Sequence, residues 1–202
     1  MPPRLWSPRR LVRQVLLLLC SCSCVTAQES ARTAPMTLAN MSSRAATIVH
    51  GHVISAYLEP YAALDGATTM VVTLRAVDYL KGQAAPTFTF RQFVWDVRAR
   101  YGSLPYKKGA EVVLFMRAPS RYGLSSPVAL EQSRFDVIRS GASVKAVNGR
   151  GNAGLLEGVR EQAQQRGMNL SVHSSKVLSG ARGGPLRLDD FKQLTRELGR
   201  NR

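Results

Sequence analysis

The sequence predicts a mainly β domain, an antiparallel barrel or sandwich, followed by a C-terminal helix. Between residues 46 and 148, short runs rich in β-branched residues alternate with turn residues at hairpin spacing. Beyond residue 148 this alternation stops, and residues 188–199 show a helical period instead. We therefore expect five to six strands in a domain at 46–148. A loop-rich tail, 149–202, should follow, with its last helix docking on the barrel.

The amino terminus predicts export. An arginine-rich start precedes a short apolar run, Val15–Val25, and small side chains lead up to Ala27. This pattern is typical of a signal peptide, here 1–27, and places the protein in the periplasm, the cell envelope or the extracellular space. A membrane helix needs about 20 apolar residues, so no transmembrane span is expected in the mature chain. Residues 28–45 are small and polar without a period, which predicts a flexible lead-in.

All three cysteines, Cys20, Cys22 and Cys24, lie in this signal segment. Cleavage after Ala27 would leave a chain without disulfides in an oxidising compartment. The stretch Leu19–Cys22 also resembles a bacterial lipobox. A lipid anchor at Cys22 is therefore an alternative to a freely soluble product.

The chain is strongly basic, with a net charge of +15 at pH 7. Such a charge favours a polyanion as partner, whether an acidic polysaccharide, a lipid headgroup or a nucleic acid. The basic residues are scattered rather than clustered in a block of five or more. The charge therefore supports a polyanion only as an alternative to the expected protein partner.

The first predicted strand covers residues 46–57. Val49, Gly51 and Val53 fall on one face by the period of two, and the opposite face also carries apolar residues. Both faces should be covered for part of the strand. Gly51 indicates a bend or a close approach of another backbone.

The second strand follows a turn at Asp65-Gly66 and starts at residue 68. Arg75 faces away from its apolar side, and a Leu-Lys-Gly stop at residues 80–82 ends it. The apolar side carries Met70, Val72, Leu74 and Ala76.

Four further strands are predicted at residues 87–95, 110–118, 127–138 and 143–148. The second of these is apolar enough to be central, and the third should be bent near Gln132. In the tail, the glycine-rich residues after 148 and the stretch 171–186 are expected to be loops. The final helix, 188–199, should be capped by Asp189 and end at Gly199. Its apolar face carries Phe191, Leu194 and Leu198.

Several stretches together resemble known proteins. "ATIVHGHVISA", "VVTLRAVDYLKG", "KKGAEVVLFM", "ALEQSRFDVI" and "LRLDDFKQL" occur in an order that resembles a group of exported bacterial proteins of unassigned function. The run from the strand through "LKG" to "KKGAEVVLF" is more remotely similar to the netrin-like barrel of tissue inhibitors of metalloproteinases. That resemblance implies a small OB-like barrel of five to six strands.

The same resemblance implies an inhibitor-like partner of a secreted metalloprotease as one alternative function. Those inhibitors ligate the protease metal through an amino-terminal cysteine. Here the expected mature terminus is Gln28 and no cysteine follows it, so that mechanism does not carry over.

No catalytic constellation stands out. His50 and His52 have a spacing that two metal ligands can use, but further ligands are missing nearby, so we expect neither a metal nor another cofactor. The chain also lacks the common motifs that set a nucleophile beside a base. An enzyme with an unrecognised site stays an alternative.

The function expected from the sequence is that of an exported, non-catalytic binding module with a protein partner. The basic and aromatic loop at 96–109 is its candidate binding site, because arginine and tyrosine are favoured interface anchors. Its candidate residues are Arg98, Arg100, Tyr101, Tyr106, Lys107 and Lys108.

Overall fold

A computed structural model of the protein describes residues 35–94, 104–180 and 183–200. The described residues form one compact unit. The expected signal peptide and the alternative anchor at Cys22 lie outside the described residues.

The described part of the chain is mainly β, as predicted. Seven of its strands form one antiparallel sheet in the order β3-β2-β1-β4-β5-β6-β7. The strands are β1 (Thr47–Tyr61), β2 (Ala67–Lys81), β3 (Thr87–Phe93), β4 (Glu111–Met116), β5 (Arg134–Ser140), β6 (Ser143–Asn148) and β7 (Leu186–Arg187). The helices are α1 (Leu38–Arg44), α2 (Val159–Gln165), α3 (Val172–Gly180) and α4 (Leu188–Gly199).

The closed barrel of five to six strands is not confirmed, because the sheet is open. A barrel needs its first and last strands to pair, whereas β3 and β7 stand at opposite ends of the strand order. The β5–β6 hairpin and β7 extend the sheet beyond β4 instead of returning to β3.

The sheet separates two hydrophobic cores. β4 lies in the middle of the strand order, as its apolar sequence predicted, and its residues alternate between them. Val113 and Phe115 join a helix-side core with residues of α1, α2 and α4. Val112 and Leu114 join a strand-side core built mostly from β1 to β4. The period of two therefore explains why this strand is apolar throughout.

The predicted faces of β1 and β2 are confirmed. Ile48 is buried in the helix-side core and Val49 in the strand-side core, so β1 is covered on both faces there. In β2, Leu74 is fully buried and Arg75 is exposed. Gly51 lies so close to β2 that a Cβ built on it would be 2.5 Å from the carbonyl oxygen of Arg75.

Residues 28–45 differ from the expected flexible lead-in. The described part of this range, 35–45, contains α1, whose amino end is capped by the Thr37 hydroxyl accepting a hydrogen bond from the Asn40 amide. Leu38 and Met41 are fully buried in the helix-side core. A helix this short is not stable in isolation, so it forms only because it packs against the rest of the fold.

The tail is also more ordered than expected. The segment 171–186, predicted as loop, contains α3 and the first residue of β7. The glycine-rich stretch after residue 148 is a series of turns, in which the buried Asn152 side chain accepts a hydrogen bond from the Asn148 amide. Leu155 and Val159 complete the helix-side core, so this part of the tail packs against the sheet.

The final helix, α4, has the predicted limits and buries its predicted face. Phe191 packs its ring 4.6 Å from that of Phe135 and 6.1 Å from that of Phe115. The residue preceding the helix is Arg187, and Asp189 does not cap it. Among the described residues, no helix is long and apolar enough to cross a membrane.

Candidate functional site

The structure describes three of the six residues predicted to bind a partner. Arg98, Arg100 and Tyr101 lie outside the described residues, whereas Lys107 and Lys108 are exposed on a turn. Tyr106 is only 5% exposed and packs edge-on against Phe90 in the strand-side core. Burial raises the pKa of its phenol well above the ordinary value. Tyr106 is thus mainly a core residue, although it also lines a neighbouring cleft.

This cleft has a volume of about 490 Å³ and lies where β3 ends. Its wall combines apolar side chains, among them Phe93, Leu124 and Pro127, with Gln92 and Arg134. Concave sites of several hundred Å³ with an apolar lining and a few polar groups are typical of ligand pockets. The cleft is therefore the strongest candidate site in the described part of the chain.

The segment 117–127 forms one side of the cleft because it is fixed at two strands. The Ser125 amide donates to the Arg91 carbonyl of β3, at 2.8 Å. Close to β4, the Arg117 amide donates to the Ser126 carbonyl, and Pro127 forms a bridge with Met116. The cleft wall is thus held by backbone pairing rather than by side chains alone.

Two polar atoms in the lining residues have no partner. The Oε1 atom of Gln92 and the Nε atom of Arg134 are buried, and neither forms a hydrogen bond with the described residues. Leaving such a group unpaired costs about 1–3 kcal/mol. Four other buried polar atoms of the described residues also lack partners, so these two atoms support the cleft as a ligand site only together with its shape and lining.

Leu130 lies at the start of a short 3-10 helix, Leu130–Ser133, and also lines the cleft. The residue is 61% exposed, and its φ of 52° is in the left-handed region. A large non-glycine residue in that region costs about 1–2 kcal/mol. The protein therefore holds an exposed leucine in a strained conformation at the cleft.

The sequence alone missed Leu130, Gln92 and Arg134. It placed Leu130 and Arg134 in one bent strand, 127–138, and the predicted interruption near Gln132 is confirmed by the 3-10 helix. Four consecutive polar residues at 131–134 were the available signal, because a half-buried strand does not carry such a run.

A second polar cluster lies between the sheet and α4. The Nε2 atom of His50 is 2.9 Å from Glu111, whose carboxylate also accepts two-pronged hydrogen bonds from Arg139. Asp78 of β2 forms ion pairs with Lys192 and Arg196 of α4. Within the described residues, no group of three or more potential ligands could hold a metal. His50 instead contributes to a charged network that ties strands and helix together.

This network predicts a loss of stability in acid. Burial lowers the pKa of His50, outweighing the hydrogen bond to Glu111. Burial would raise the pKa of Glu111 and of Asp78, but their bonds to Arg139 and His50, and to Lys192 and Arg196, together lower both values. All three groups bind fewer protons in the folded state than in the unfolded state. Stability should be complete above the ordinary histidine pKa of 6.5 and fall as the pH drops below it.

Denaturant titrations between pH 7.5 and pH 4 measure this decline. The variant His50→Gln can still donate to Glu111 but cannot take up a proton, so its stability should change less between pH 7 and pH 5. The matched control is His173→Gln, which removes a half-exposed histidine paired with Asp190. An unchanged decline in His50→Gln would exclude His50 as the source.

No protein-family model, curated protein or solved structure matches this chain. The resemblance to exported bacterial proteins and to inhibitors of metalloproteinases therefore stays a prediction. Any role for the cleft has to be inferred from the residues that line it.

Proposed function

We propose that this protein is an exported, non-catalytic binding module that takes a segment of a partner protein into the cleft. Export is supported by the basic start, the short apolar run and the small residues before Gln28. These features favour the periplasm, the cell envelope or the extracellular space, and a lipid on Cys22 is an alternative to free release.

The observation that carries the proposal is the exposed, strained Leu130. No described contact of the fold explains why a leucine rather than a glycine or asparagine occupies this left-handed position. Backbone strain of this kind concentrates at functional sites, where the surrounding structure maintains it. A partner surface that covers Leu130 would recover the hydrophobic free energy that the free protein leaves in water.

A protein segment fits this place better than an enclosed small molecule. Leu130 is more than half exposed, so only a ligand that extends out of the cleft can bury it. Phe93, Leu124 and Pro127 offer apolar contacts to a side chain that enters from outside. Together they form the kind of apolar centre that anchors protein interfaces.

An anionic partner is the second candidate. Lys107 and Lys108 are exposed directly after the cleft residue Tyr106, and the whole chain is basic. A polyanion would be held mainly by charge, so its binding would weaken steeply with added salt. The binding of a protein segment anchored in the apolar cleft would depend less on the salt concentration.

An OB-like architecture is our proposal for the half of the sheet formed by β1 to β4. It is supported by the strand-side core, which these four strands line. It is also supported by the segment 117–127, which runs from the end of β4 to a parallel bridge between Leu124 and Arg91 on β3.

The variant Leu130→Asn tests the proposed function. Asparagine tolerates the left-handed conformation, so the melting temperature should not fall, whereas capture of the partner should drop by about tenfold or more, as for an interface anchor. The measurement is capture from the envelope extract of the source cells with immobilised protein, at low and at physiological salt.

Val172→Asn is the matched control, because Val172 is 89% exposed and does not line the cleft. A protein retained by the wild type and by this control but lost from Leu130→Asn supports the proposal. Equal retention by all three proteins would contradict it, and retention that salt alone abolishes would favour the polyanion.

A further inference from the structure

The chemistry of Arg134 narrows what the cleft can bind. Its side chain is 22% exposed, and one Nη atom donates to the Pro105 carbonyl at 2.8 Å. The guanidinium also lies 5.5 Å from the centre of the Tyr106 ring. Its nearest carboxylate, on Asp136, is 3.8 Å away, which is too long for a hydrogen bond. Arg134 thus has only a long ion pair with Asp136, and its Nε atom forms no hydrogen bond with the described residues.

Three other arginines of the described chain contact an acid more closely. Arg139 forms a two-pronged interaction with Glu111 at 2.7 Å, and Arg91 and Arg196 each contact a carboxylate directly. Arg134, whose ion pair with Asp136 is long, is therefore paired less tightly with an acid than these three arginines. A guanidinium in this state is suited to a carboxylate, which can accept two parallel hydrogen bonds from it.

Glu131 is the one acidic side chain in the lining, and it does not neutralise Arg134 by an ion pair in the described structure. Its carboxylate lies against Gly149, since a Cβ built there would be 3.6 Å from Oε2 of Glu131. Within the described residues, the ion pair of Arg134 is therefore the long one with Asp136, and a ligand carboxylate could approach the guanidinium more closely.

Gln92 adds a second requirement. Its Oε1 atom is an acceptor, is buried, and has no donor among the described residues. The group that suits it is an N–H. Next to both polar groups, Phe93, Leu124 and Pro127 offer an apolar surface.

We propose that the anchor taken up by the cleft is the C-terminal residue of the partner protein, with an apolar side chain. Only the last residue of a chain carries a free α-carboxylate for Arg134, an amide N–H for Gln92 and a side chain for the apolar wall on neighbouring atoms. This assignment rests on the proposed function, since it names the part of the partner that the cleft recognises.

The test uses two fluorescein-labelled tetrapeptides that end in phenylalanine, one with a free carboxylate and one with a C-terminal amide. Binding to the full chain is measured by fluorescence anisotropy. The peptide with the free carboxylate should bind about tenfold tighter or more, because the amide peptide lacks the hydrogen bond between a charged carboxylate and Arg134. Arg134→Gln should remove this preference, and Arg134→Lys should restore part of it.

Arg75→Gln is the matched control, since it removes an exposed arginine from β2 and should keep the preference. If Arg134→Gln fails to fold, the comparison of acid and amide on the wild type decides by itself. Equal binding of the two peptides, weakened for both by Leu130→Asn, would overturn the carboxylate assignment and leave the cleft as a binding site. No binding of either peptide would also overturn the assignment, and peptide binding that Leu130→Asn does not weaken would count against the cleft itself.

Discussion

Replacing Gly51 by valine is expected to destabilise the protein by about 3 kcal/mol or more, at the upper end of the range for overpacked sites. A Cβ at this position would lie 2.5 Å from the carbonyl oxygen of Arg75 and 3.3 Å from the Cα atom of Ala76. Both are backbone atoms of β2, so no side chain can rotate away to make room. The longest strand pair of the sheet would have to separate there.

The measurement is a denaturant titration of the free energy of unfolding. Gly180→Val is the matched control, since a Cβ at Gly180 meets nothing within 4 Å and the residue is exposed. It should change stability by no more than about 0.5 kcal/mol. A loss in Gly51→Val as small as that of the control would show that β1 and β2 do not approach each other at this point.

Leu74→Ala is expected to cost about 2–5 kcal/mol. Leu74 is fully buried among β1, β2, β3 and β4, where Val53 and Phe88 are its strand partners. Truncation removes buried apolar surface and leaves a cavity that a sheet paired on both sides cannot close. The same residue was assigned to the core by the alternation of the sequence alone.

Arg75→Ala serves as the control, because the next residue along β2 points to solvent. It should alter stability by about 0.5 kcal/mol or less. Equal losses for the two variants in urea titrations would mean that the two faces of β2 are assigned wrongly.

The strands were predictable because their signal is local. The alternation around Met70, Val72 and Leu74 and the unbroken apolar run of β4 both follow from a period of two. The turn at Asp65-Gly66 is confirmed by positive φ at both residues. The limits of α4 were also predicted, since three apolar residues at helical spacing precede Gly199, although Asp189 does not cap the helix.

The candidate site was predictable only in part. The sequence pointed to the loop that contains Tyr106, Lys107 and Lys108, and the cleft lies at one end of that loop. It did not indicate Leu130 or Arg134. Their importance depends on exposure, on backbone conformation and on missing partners, and none of these is a property of the local sequence.

Sequence by itself thus predicted six of the seven strands of the described chain, the faces that β1 and β2 bury, and the limits of α4. Tertiary structure decided whether the sheet closes, because closure depends on pairing between distant strands rather than on local preference. It also decided that α1 forms, since only burial of Leu38 and Met41 stabilises so short a helix. Finally, it brought Gln92 and Arg134 into one cleft. These residues lie on β3 and β5, which are far apart along the chain, and only the tertiary structure places both of them beside the segment 117–127.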